Sequence, residues 1–124
     1  MESESNLRDT WSTFVDILSN DIVQSDTMVD ILKKAKGILN VTYKIFLRQN
    51  DDSTDLIIQK RFWLRWLIRR LLVLCIEHKK CPKVKEECLE TFAIIMKKAI
   101  FEPCLHYTLT EHYVMLLEGK FTFD

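Results

Sequence analysis

Lys60-Arg61-Phe62-Trp63-Leu64-Arg65-Trp66-Leu67-Ile68-Arg69-Arg70-Leu71-Leu72-Val73-Leu74-Cys75-Ile76 is the stretch on which the fold turns. It contains no Gly or Pro, and its apolar residues recur at helical spacing. Trp63, Leu64, Leu67, Leu71, Leu74 and Cys75 make one apolar face. Phe62, Trp66 and Val73 make a second strip, and Arg61, Arg65 and Arg69 run between them at i, i+4, i+8. A helix apolar around most of its circumference is normally surrounded by other helices. Extended from Thr54 to Lys79 it would reach about 39 Å at 1.5 Å per residue.

Outward from this segment the chain reads as four more helices. Leu7, Trp11, Phe14, Val15 and Leu18 share one face of a helix over about 6–20, with Asn6 and Asp9 spaced as in a capping box. Met28, Ile31, Leu32, Ala35 and Leu39 place a second over about 27–48, opened by Thr27 and weakened by Gly37, with a kink allowed near 37–40. Pro82 opens a fourth over about 82–101, with Val84, Cys88, Phe92, Ile95, Met96 and Ala99 inside, and with Glu86, Glu87, Glu90, Lys97 and Lys98 mostly outside. A short fifth, about 109–118, is framed by Thr108, Glu111 and Gly119. The expected fold is all-α: a single domain over 1–124, an irregular bundle of four to five helices around a long, largely apolar central one. A short armadillo- or HEAT-like stack of helical hairpins is the alternative.

Composition agrees. Two Gly and two Pro in 124 residues are too few for the turns of a sandwich or barrel. The phosphate-cradling glycines of a dinucleotide or P-loop fold are also missing. No basic-then-apolar leader opens the chain, and Arg65, Arg69 and Arg70 break its most apolar region well short of the roughly 20 residues a membrane span needs. A cytoplasmic or nuclear location with reduced cysteines is expected.

The net charge is zero but segregated. Residues 1–30 carry seven acids and one base, whereas residues 31–80 carry twelve bases and four acids. The plain reading is that an acidic first helix packs beside the basic central one, so that Arg61, Arg65 and Arg69 pair with it or with glutamates of the fourth helix.

Chemistry-bearing signals are sparse. Cys75, His78, Cys81 and Cys88 come at intervals that lack the tight C-x₂-C knuckle of zinc sites, and Cys75 and Cys88 fall on inner faces. His78, before Lys79-Lys80, reads as a solvated helix end. Cys104, His106 and His112 add no catalytic spacing, and adjacent acids such as Asp51-Asp52 do not converge. Neither an enzyme, a metal nor a cofactor is expected. The apoptosis-regulator fold also buries one apolar helix, but its Asn-Trp-Gly-Arg signature does not occur here, and nothing is carried over from it.

Aromatic residues and arginine dominate the energetics of protein interfaces. Arg61, Phe62, Arg65, Trp66, Arg69, Arg70 and Val73 therefore form the candidate partner-binding surface. The expected function is that of a non-catalytic intracellular interaction module, an adaptor or small subunit of a complex. Its partner would be another protein offering an acidic-hydrophobic or helical segment, and homo-oligomerisation through the same strip is equally allowed. The alternative is a nucleic-acid-associated domain using the same basic, aromatic helix, against which stands the sequence pI of about 6.8.

Overall fold

A computed structural model describes residues 4–19, 24–42 and 52–98, together with 110, 111, 113–115, 117 and 118. Four helices carry the architecture: α1 (Glu4–Leu18), α2 (Ser25–Thr42), α3 (Thr54–Glu77) and α4 (Pro82–Lys98). The described positions between 110 and 118 are helical as well, and no described residue is in a strand. The protein is all-α, a helical bundle.

Neighbour relations define the bundle. α2 packs most extensively on α4, α1 lies against α2 and α3, and α3 lies against α4. Polar contacts give the directions. Near the starts of α1 and α3, the Arg8 guanidinium donates to Gln59 Oε1 at 2.7 Å. Near their ends, Arg70 Nε donates to the Leu18 carbonyl. These two helices therefore run parallel. α2 begins where α3 stops, with Ser25 Oγ and His78 Nδ1 sharing a hydrogen bond at 2.9 Å. α4 begins at the same end, so α2 and α4 are also parallel. The arrangement is two antiparallel hairpins, α1–α2 and α3–α4, laid side by side.

The inner faces read from periodicity meet in one core. Leu7, Phe14, Leu18, Met28, Leu32, Leu39, Leu64, Leu67, Leu71, Leu74, Val84, Phe92 and Ile95 are buried in it. α3 contributes more of the buried side chains than any other helix, because its inner sector from Leu56 to Cys75 is apolar apart from Lys60. The core wraps only part of α3, however: Ile58, Phe62 and Ile76 remain exposed on its outer side.

Several local expectations are revised. α1 starts at Glu4, which places Asn6 inside the helix, where its carbonyl accepts from the Thr10 hydroxyl. α2 starts at Ser25 rather than Thr27, anchored by the bond to His78 and by the Met28 amide donating to the Gln24 carbonyl. His78 is buried, not solvated, because it caps α3 and sits under the start of α2; its amide donates to the Leu74 carbonyl at 3.0 Å. Glu87 is buried as well, drawn in by Lys36. The proposed extensions of α2 to 48 and of α4 to 101 lie outside the described residues, as do Thr108, His112, Gly119, Cys104 and His106.

Gly37 sits within an unbroken α2, on its exposed side, and an added Cβ would meet nothing within 4 Å. Its only effect is the entropy it adds to the unfolded chain. Gly37→Ala is expected to stabilise the fold by about 0.5–1 kcal/mol, read as a higher urea midpoint at unchanged slope.

Lys36 joins the two hairpins. Its ammonium donates to Glu87 at 2.8 Å and also to Glu90. Partial burial by itself would lower its pKa, but the hydrogen bonds and charges of the two glutamates outweigh this and hold it above the ordinary 10.5. A raised folded-state pKa means that the stabilisation is complete below about 10.5 and is lost as pH rises through the higher folded value. Lys36→Met should therefore cost about 1 kcal/mol at neutral pH, with the difference from wild type closing in strong alkali.

Candidate protein-docking face

The outer sector of α3 arises from one conflict in its sequence. Buried Leu, Ile and Trp fill half of its circumference, and the other half carries both arginines and apolar side chains. Among the seven residues singled out from the sequence, Arg61, Phe62, Arg65 and Arg69 are exposed, whereas Trp66, Arg70 and Val73 are half-buried. Phe62 stands out at 65% exposed.

Trp66 belongs to both sides. Its ring meets Trp11 of α1 edge-on, with centroids 5.1 Å apart and planes at 84°. Trp11 in turn stacks on buried Trp63 at 5.5 Å and 17°. This cluster fills the α1–α3 seam and leaves one edge of Trp66 at the rim of the outer face. Arg70 points into the same seam, where it binds the Leu18 carbonyl at the end of α1. It complements the negative end of that helix dipole and serves the fold.

The expected charge pairing between the arginine stripe and the acids of α1 or α4 does not form at its centre. Arg65 and Arg69 make no ion pair with any described residue; Glu87 and Glu90 are taken by Lys36 instead. Two uncompensated guanidinium groups thus stand beside exposed apolar side chains.

Two members of this face were missed from the sequence. Ile58 is 48% exposed and Ile76 is 36% exposed, and both lie on the sector of Phe62, Arg65 and Arg69. Their signal was their spacing from Phe62 and Arg69, which is i−4 and i+7. In a helix this apolar, periodicity alone does not show which strip faces outward.

Among the described residues, Cys75, Cys88 and His78 are used internally. Cys75 and Cys88 are buried free thiols and Cys81 is half-buried. The Cys88 thiol donates to the Leu71 carbonyl at 3.6 Å. Its hydrogen bond with Cys75, followed by burial, pushes its pKa well up, which keeps it a protonated and unreactive thiol. Among the described residues no three His, Cys, Asp or Glu side chains are grouped to hold a metal ion, and no helix is long and apolar enough to cross a membrane.

Compared with protein-family models, with curated proteins and with solved structures, the chain finds no match.

Proposed function

We infer that the protein is a non-catalytic interaction module, an adaptor or small subunit of a complex, which binds another protein through the outer face of α3. The observation that carries this reading is the pairing of 65%-exposed Phe62 with Arg65 and Arg69, neither of which has an ion-pair partner among the described residues. A rigid helix has little backbone entropy to lose on binding, and aromatic and arginine side chains contribute most of the energy at interfaces. The buried half of α3 fixes their spacing.

Purification of the tagged chain from its native cells, side by side with Phe62→Ala and Arg65→Glu variants, tests this. Both substitutions are at exposed positions and should leave the helical signal and melting unchanged while weakening partner recovery. Recovery equal to wild type in both variants would remove the face from consideration. The second reading, nucleic-acid association, is favoured by the same two uncompensated arginines. It would show as a steep loss of affinity with salt, in proportion to the phosphates contacted, which an apolar-anchored protein contact lacks.

A further inference from the structure

We propose that the occupant of the α3 face is a single amphipathic helix with apolar residues at both ends of its contact stripe and carboxylates at the centre, and that it is not a second copy of this chain. The proposal rests on the reading of this face as a docking surface and specifies its partner.

The sector has an ordered layout. Ile58, Phe62, Arg65, Arg69 and Ile76 follow spacings of 4, 3, 4 and 7 residues, the alternation by which one helix presents a seam to another. The remaining seam position, Leu72, is turned into the core, and half-buried Val73 stands beside it. From Ile58 to Ile76 the seam is about 27 Å long, which matches roughly five helical turns of a partner. Its ends are apolar and its middle is doubly cationic.

That middle decides the occupant. Arg65 and Arg69 lie symmetrically about residue 67. In an antiparallel two-fold pairing of two copies, Arg65 of each faces Arg69 of the other. In a parallel pairing in register, each arginine faces its own copy. Either way four guanidinium groups meet with no carboxylate between them, and like charges so placed oppose association. Among the exposed acids elsewhere on the chain, Asp9 and Asp16 on α1 sit among Ser5, Asn6, Ser12 and Thr13, with no large apolar side chain for Phe62 to bury against, and Glu111 and Glu118 flank exposed Val114 and Leu117 in the reverse order, acids outside and apolar side chains between. A foreign helix with Asp or Glu opposite Arg65 and Arg69 satisfies both arginines through charge-assisted hydrogen bonds, while its apolar ends cover Ile58 with Phe62 and Val73 with Ile76.

The probes are three labelled helical peptides of about 21 residues, long enough to span the seam. All have Leu at the outer seam positions, and the two central ones are Glu, Lys or Leu. Each is titrated by fluorescence anisotropy with the full chain, with Arg65→Glu/Arg69→Glu and with Phe62→Ala; circular dichroism reports folding, and sedimentation reports self-association. The Glu-centred peptide should bind at least about thirty-fold more tightly than the Lys-centred one, the double reversal should invert that order, and Phe62→Ala should weaken the Glu-centred complex by a similar factor. Because the Glu–Lys comparison uses the unaltered protein, it stands even if a variant misfolds. A Leu-centred peptide that binds as well as the Glu-centred one, with both weakened by Phe62→Ala, would keep the docking face and overturn the acidic centre. Peptide binding that is absent, or indifferent to Phe62→Ala and to the double reversal, would overturn the docking face itself. A dimer that Phe62→Ala dissociates, or an oligo-dT strand that displaces the Glu-centred peptide, would overturn the choice of occupant.

Discussion

Trp63→Ala is expected to destabilise the protein by about 3–5 kcal/mol, and Trp66→Ala, three residues away, by only about 1–2 kcal/mol. The two side chains have the same chemistry and share one neighbour, Trp11, but differ in burial. Trp63 is 4% exposed and stacked face to face with Trp11, so its removal opens a cavity at the junction of α1 and α3 that neighbouring side chains cannot fill. Trp66 meets Trp11 by an edge and keeps part of its surface in solvent, so truncation forfeits one aromatic contact and part of a burial term. Urea melts of the two variants in parallel provide the check. Equal losses would mean that the Trp66 strip belongs to the core rather than to its rim.

The second large effect concerns a charge inside the core. Lys60 is 4% exposed, and its ammonium donates to the Asp52 carboxylate at 2.8 Å, with both side chains almost wholly shielded. Removing either partner breaks an ion pair held almost wholly out of solvent and leaves a charge buried. Asp52→Ala is therefore expected to cost about 3–5 kcal/mol. Replacing both partners together, as Asp52→Leu with Lys60→Met, should recover most of that loss, since a buried ion pair gains little over well-packed apolar groups. Thermal melts of the single and double variants distinguish the cases. A single variant as stable as wild type would mean that water reaches Lys60 in solution.

Lys60 also shows where sequence reading stops. The inner faces of α1, α2 and α4 were legible because each is a clean stripe: Leu7, Phe14 and Leu18; Met28, Leu32 and Leu39; Val84, Cys88 and Phe92 all lie where their spacing puts them. Lys60 was read as part of a basic run, although its spacing of four from Leu56 and Leu64 puts its stem on the inner face; what no local pattern records is that its ammonium folds back to Asp52. His78 and Glu87 were misplaced for the same reason. Each is buried by a group from the other hairpin, Ser25 and Lys36 respectively, and no local pattern records such a partner. The proposed docking face was half legible. Phe62, Arg65 and Arg69 were singled out from the sequence, whereas Ile58 and Ile76 were assigned to neither apolar strip of α3.

The side-by-side hairpins also bear on the order of folding. The polar contacts that tie α1 to α3 and α2 to α3 and α4 span 51 to 54 residues of chain, an almost constant offset. By contrast, α3 and α4 are joined through a turn at 78–81, in which the Cys81 amide donates to the His78 carbonyl. Closing a loop of about fifty residues costs roughly 2 kcal/mol more than closing one of about four, before any contact compensates for it. Each hairpin is thus an entropically inexpensive unit, with six residues between α1 and α2 and four between α3 and α4, and the two dock on one another at a uniform register. α3 carries the proposed docking face, so its seam is set out within a unit that needs few distant encounters to form.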